Sequence, residues 1–269
     1  MTSRIPWLYA VTVTACLALS VTAHAQTGVP LPPLPPPGTT FTFLPQTAFH
    51  MTAEHLSGDD ERFVWNANFG GQLDVLGYPG GRATFLANYE VVLGEEWKAF
   101  DPNQGNYFIA ASASYWVHGV ELAGVFHHES RHLSDRLKRF PVDWNMVGAR
   151  AQTALVHGRS TTVARADLRR VIQRSRVDYE WELDARVRNL VQLRPRVGVV
   201  SSVSLDLMGV DGSHDRGTQV GARGEGGIRL QGDAGAIELY LAAERRIDPY
   251  QLESSTASWF IAGFRLLSR

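Results

Sequence analysis

His128 and Ser130 lie two residues apart in a stretch whose other same-parity members are Val120, Leu122, Gly124 and Phe126. Side chains of an extended strand alternate between faces, so these six share one surface, apolar until it ends in the His-x-Ser pair. An imidazole beside a hydroxyl is the base and nucleophile of a serine hydrolase. Same-face neighbours stand about 6.6–6.8 Å apart at Cα, so the imidazole can reach the hydroxyl. The opposite parity carries Glu121, Ala123, Val125, His127, Glu129 and Arg131.

A base of this kind needs an acceptor to orient it. Residues 142–157 also alternate, and one parity runs Asp143, Asn145, Val147, Ala149, Ala151, Thr153 and Leu155. If the two stretches pair as a hairpin, Asn145 reaches the same apolar surface at about the height of His128 and Ser130. The expected roles are then Ser130 as nucleophile, His128 as general base and Asn145 as the orienting group, with His127, Glu129 and Trp144 facing the other way. Two other readings stay open. A strand leaving a membrane must turn from apolar to polar somewhere, which needs no chemistry. His127, Glu129, His132 and Asp135 are also usable metal or ligand donors, although they alternate faces and run into a loop.

The elements that would hold these residues recur along most of the chain. Residues 64–76, 82–93, 107–118, 120–131, 142–157, 161–172, 177–189, 195–207, 218–230, 236–247 and 257–267 each alternate between faces and end at turn residues. In 177–189, Val177, Tyr179, Trp181, Leu183, Ala185 and Val187 oppose Asp178, Glu180, Glu182, Asp184, Arg186 and Arg188. Segments of this length fit tilted membrane-spanning strands, whereas sandwich strands are usually shorter. Tight connections at 77–81, 118–119, 158–160, 190–194 and 231–235 alternate with mostly longer ones, of which 173–176 is the weak member. Short turns on one side and longer loops on the other are the outer-membrane pattern. Bacterial barrels of this kind have an even strand number, so a further strand is expected within 41–56. The expected fold is all-β, an antiparallel transmembrane barrel of twelve strands with both termini in the periplasm.

Trp65, Tyr107, Trp144, Tyr179 and Trp259 fall near the outer ends of descending strands, where an aromatic girdle would sit. Inward positions carry Arg165, Asp167, Arg169, Glu180, Asp184, Arg186, Arg223, Glu225, Arg229, Glu238 and Glu244. Opposite charges of this kind can pair across the interior and fill it, which argues against a small-solute channel.

Arg4, the apolar run 5–21 and Ala23-His24-Ala25 have the form of a signal peptide removed after Ala25. A lipoprotein-like box at Val13-Thr14-Ala15-Cys16 is the lesser alternative. Cleavage after Ala25 removes Cys16, the single cysteine, and with it any disulfide framework. Residues 26–40, with a proline run from Pro30, are expected to form a periplasmic spacer, and 41–269 the barrel. Acidic residues number 27 against 26 Lys and Arg. Without a basic stripe, nucleic acid is not an expected partner.

Gly124-x-Phe126-x-His128-x-Ser130 followed by Trp144-Asn145 resembles outer-membrane phospholipase A. That resemblance implies a twelve-stranded barrel in the outer membrane with a Ser–His–Asn triad on its lipid-facing wall. It also implies membrane lipids as substrate, calcium dependence and activity as a homodimer. The chain departs from the family in having Arg131-His132 where Asn-Gly follows the serine, and in a longer hairpin before Trp144. Phe126 to Asp135 also resembles the H-x-S-S-H-L-G-D-E stretch of an uncharacterised family of bacterial barrels, as do Phe43-Leu-Pro and Gly263-Phe-Arg-Leu266. The candidate functions are a phospholipase A-like hydrolase, a lipid A deacylase, and a non-catalytic barrel with a structural or attachment role.

Overall fold

Alternating apolar and polar residues satisfy a strand whose two faces meet different surroundings, and here they close on themselves. The computed structural model describes residues 29–134 and 140–268; the signal-peptide region, Cys16 and Asp135 lie outside them. Six strands run up to the β5–β6 hairpin: β1 (Thr42–Leu56), β2 (Trp65–Tyr78), β3 (Gly81–Gly94), β4 (Asp101–Val117), β5 (Val120–Leu133) and β6 (Val142–His157). Six more complete the wall: β7 (Ser160–Ser175), β8 (Tyr179–Arg194), β9 (Val197–Val210), β10 (Gln219–Gln231), β11 (Gly235–Ile247) and β12 (Thr256–Ser268). Each pairs antiparallel with its neighbours, and β1 pairs with β12 to close the barrel. The strand expected within 41–56 is β1.

Tight turns at 79–80, 118–119, 158–159, 195–196 and 232–234 lie at one end, together with the start of β1 and the end of β12. His118 and Gly119 both have positive φ, 48° and 82°, as a two-residue hairpin turn matched to the sheet's twist requires. The opposite end carries longer connections, with 176–178 again the shortest. Several strands run further than their alternation indicated, β8 among them, which continues to Arg194 through the segment expected to be a tight turn. β4 starts at Asp101 rather than 107, and β7 continues to Ser175 through the segment expected to be loop.

Bulges reverse side-chain parity, and this corrects two expectations. In β8 the ladder passes from Tyr179↔Val210 to Trp181↔Gly209, leaving Glu180 unpaired. Tyr179 therefore turns inward and is buried, whereas Glu180 is exposed and is not a lumen residue. Trp144 faces inward, as its parity opposite to Asn145 in β6 implies and against its place in the girdle, and Trp259 also turns inward; they are fully and nearly fully buried. Of the five girdle residues only Trp65 and Tyr107 look outward. The inward three cap the lumen instead. Trp144 and Tyr179 pack with Val142, Met146, Met208 and Ile247, and Trp259 packs with Leu56, Phe63, Val92, Ala242 and Ile261.

Below these apolar caps the lumen is filled by ion pairs. Arg223 meets Glu54, Glu225 and Glu244, and Arg265 meets Glu225 and Glu238. Arg82 bridges Asp74 and Glu121, while Arg150 and Arg165 share Asp167. Nearly all of these side chains are buried, so the charges compensate one another rather than lining an open channel. The proline-rich segment comes to the same place. Residues 29–33 line a cavity at the tight-turn end with His50, Thr161, Arg188 and Arg229 from opposite walls, and Arg186 donates to the Val29 carbonyl.

Candidate active site

β5 brings His128 and Ser130 to the outer wall, as its parity dictates. Glu121, Val125, Glu129 and Arg131 are buried on the lumen side, while Leu122, Gly124 and Phe126 are exposed on the other. β6 continues the arrangement: Val142, Trp144 and Met146 are buried inward, and Val147 is exposed outward. The β5–β6 register places Asn145 directly opposite His128 and Asp143 directly opposite Ser130. On the other flank β4 sets Ile109 beside His128 and Tyr107 beside Ser130. All four polar residues stand near the long-loop end of an otherwise apolar surface.

His128 Nδ1 and Asn145 Oδ1 are 2.7 Å apart. An amide oxygen only accepts, so in this pair Nδ1 carries the proton and donates. That leaves the Nε2 lone pair free, the form of imidazole that can take a proton from a hydroxyl. Among the described residues no hydrogen bond joins Ser130 Oγ to His128. Base and nucleophile share a face of β5 at successive same-face positions.

One residue of the site was not legible beforehand. β7 carries an extra residue where its pairing with β6 passes from Asn145↔Gln173 to Met146↔Val171. Ile172 and Gln173 are consequently both exposed on the outer wall. Gln173 Oε1 accepts a hydrogen bond from Asn145 Nδ2, and Gln173 Nε2 donates to Asp143 Oδ1 at 3.2 Å.

The chain matches no family model and no curated protein. Among solved structures it is similar to outer membrane phospholipase A from Escherichia coli, at 10% identity and a TM-score of 0.50, covering 82% of this chain and 90% of that one. The Salmonella typhi outer membrane phospholipase, a dimer with bound calcium, gives 11% identity, a TM-score of 0.50 and the same coverage. Omp33 of Acinetobacter baumannii gives 9% and 0.41, over 83% of this chain and 97% of that one. The fold is that of a bacterial outer-membrane barrel.

Asp135 of the alternative donor set lies outside the described residues, and the three described members do not come together on one side of the wall. His127 and Glu129 lie on the lumen side, where His127 Nδ1 stands 3.3 Å from Arg169 and Glu129 pairs with Arg131. His132 lies outside the wall, edge-on to Tyr107 with ring centroids 5.3 Å apart. The wall itself separates them, because alternate positions of one strand point to opposite sides. No group of three acidic or histidine side chains suited to a cation occurs among the described residues. The anionic side chain directly opposite Ser130 is Asp143 alone, a poor match to the several oxygens calcium takes.

Proposed function

We propose that this chain is an outer-membrane lipid acyl-ester hydrolase of the phospholipase A kind, acting from its lipid-facing wall. The observation that carries the proposal is the His128–Asn145 hydrogen bond on that wall, with Ser130 one same-face step away. Ser130 Oγ attacks the acyl carbonyl as its proton passes to His128 Nε2. His128 returns that proton to the departing alcohol oxygen, leaving an acyl-serine. Water, deprotonated by the same imidazole, then releases the fatty acid. Asn145 keeps the ring turned for both transfers. No step runs through calcium, and the homodimer implied by the family resemblance remains part of the proposal.

Lipid reaches such a site laterally. Beside Asn145 a groove on the outer wall is lined by Val147, Leu168, Ile172 and Trp181, an apolar floor for an acyl chain, with Arg170 available to a phosphate. Purified Ser130→Ala should lose about 10⁴-fold or more of its lysophospholipid release. Its barrel should stay closed, as judged by heat-modifiable mobility. Undiminished release by that variant refutes the assignment. Mass spectrometry of the products separates phospholipid from lipid A as substrate. The non-catalytic barrel is the second reading, favoured by the missing Ser130–His128 hydrogen bond. A wild-type assay that stays silent across calcium, detergent and acyl-chain length would select it.

A further inference from the structure

An asparagine that orients a histidine has a weakness that an aspartate does not. Its amide presents an oxygen and a nitrogen of nearly the same size, and either can face the imidazole. With Oδ1 toward His128, Nδ1 carries the proton and Nε2 is a base. With Nδ2 toward His128, Nδ1 must accept, the proton sits on Nε2, and no base faces the serine. The imidazole cannot decide between these states, since it can adopt either tautomer. The decision has to come from the far side of the amide.

On that side the hydrogen bonds run in one direction. Asn145 Nδ2 donates to Gln173 Oε1. Gln173 carries the same two-fold ambiguity, but its Nε2 donates to Asp143 Oδ1. A carboxylate oxygen only accepts, so the series ends on a group that cannot be reversed. Each amide is thereby fixed by the next: Asp143 orients Gln173, Gln173 orients Asn145, and Asn145 leaves His128 with its proton on Nδ1. The bulge in β7 makes this possible, because an unbroken alternation would carry Gln173 into the lumen. We infer that Asp143 and Gln173 are positioning residues that set the polarity of the Asn145 amide and, through it, the tautomer of His128. Only the catalytic consequence rests on the hydrolase proposal; the tautomer does not.

The test replaces the terminal acceptor by groups of known polarity. In ¹⁵N-histidine-labelled protein in detergent micelles, long-range proton–nitrogen correlation reads the His128 tautomer directly, with His128→Gln supplying the assignment. The spectra are taken at about pH 8.5, where an ordinary histidine is neutral. Wild type should be Nδ1-protonated. Asp143→Asn, whose amide can donate or accept, should give both tautomers. Asp143→Lys, a donor only, should drive the series backwards and leave Nε2 protonated. Adding Gln173→Glu to Asp143→Lys supplies a new acceptor beside Asn145, paired with the introduced ammonium, and should restore Nδ1 protonation. In lipid hydrolysis Asp143→Lys should lower kcat about 10³–10⁴-fold, the scale of a wrong-tautomer triad, with little change in KM. The double variant should recover most of that loss, which a merely structural role for Asp143 would not produce.

Nδ1 protonation persisting in a correctly closed Asp143→Lys barrel overturns the inference, as does a closed double variant still protonated at Nε2. If the tautomers follow the series while Ser130→Ala keeps full release, the positioning role stands and the hydrolase assignment falls. If Ser130→Ala is inactive and the tautomer ignores Asp143, the reverse holds.

Discussion

Replacing Arg223 by methionine should cost the barrel far more than any exposed charge. Arg223 is 4% exposed, and its guanidinium meets Glu244 at 2.7 Å, Glu54 at 2.5 Å and Glu225 at 3.1 Å. The three carboxylates differ in what they would keep. Glu244 retains Arg246 and Glu225 retains Arg265, whereas Glu54 is left with the Tyr240 hydroxyl and the Asn66 amide. One fully buried carboxylate thus loses its ion pair, and removal of one partner of a buried pair costs about 3–5 kcal/mol. Arg196, paired with Asp233 across two turns with both side chains mostly exposed, is the control; Arg196→Ala should cost less than about 1 kcal/mol. Urea unfolding from lipid vesicles, followed by tryptophan fluorescence, measures both. Neutralising the stranded group with Glu54→Gln in the Arg223→Met background should recover a substantial part of the loss. A cost for Arg223→Met no larger than that for Arg196→Ala would mean that the lumen is hydrated enough to solvate Glu54, and the account of a charge-filled interior would fail.

Two further perturbations probe the long-loop end and the wall. Arg216 holds both Asp178 and Asp248 with paired hydrogen bonds of 2.5–2.8 Å. Burial pushes the Asp178 carboxyl up, but the Arg216 hydrogen bonds and charge outweigh it and leave its pKa below the usual range. A depressed folded-state value contributes stability above the unfolded carboxylate pKa of about 3.9, and that stability is lost as pH falls through the lower folded value. Amide-exchange protection of residues 211–218, corrected for intrinsic rates, should therefore be equal at pH 7 and 5, collapse only below about pH 4, and be absent at every pH in Arg216→Ala. On the wall, a Cβ at Gly148 would lie 2.0 Å from the Leu168 carbonyl oxygen, whereas one at Gly124 meets nothing within 4 Å. Gly148→Ala should lose about 1–3 kcal/mol in the same unfolding assay, and Gly124→Ala should be close to neutral.

The barrel was legible because a period of two, repeated in many independent segments, leaves few alternatives once strand length and turn spacing agree. His128, Ser130 and Asn145 were legible for the same reason. Their placement needs parity within β5 and β6 and one hairpin register, and neither strand is interrupted between the shared turn-side ladder and the site. What was lost lies beyond bulges. Nothing in the residues around Glu180 or Ile172 marks them as supernumerary, so alternation alone points Tyr179 at lipid and leaves Gln173 in a loop. A single extra residue reverses every side chain past it without changing composition or periodicity on either side. The position of residues 29–33 at the mouth of the lumen depends on contacts distant in sequence, which proline content alone does not encode.

The polar outer end of β5 had a simpler explanation, the change of surroundings at a membrane surface. Interfacial polarity asks only that each side chain find water or a headgroup, and it places no demand on how neighbouring side chains meet one another. The outer wall satisfies a stricter condition. His128, Asn145, Gln173 and Asp143 come from three strands, one of them re-aimed by a bulge, and they hydrogen-bond to each other in sequence. Mutual satisfaction of this kind matters where water is scarce, because an unpaired amide beside hydrocarbon costs several kcal/mol. It also gives each group a fixed polarity, which a solvated rim has no use for and a proton-transferring imidazole requires. Side chains that complete one another's hydrogen bonds and end in a free imidazole nitrogen one same-face step from a serine favour a built site over a boundary.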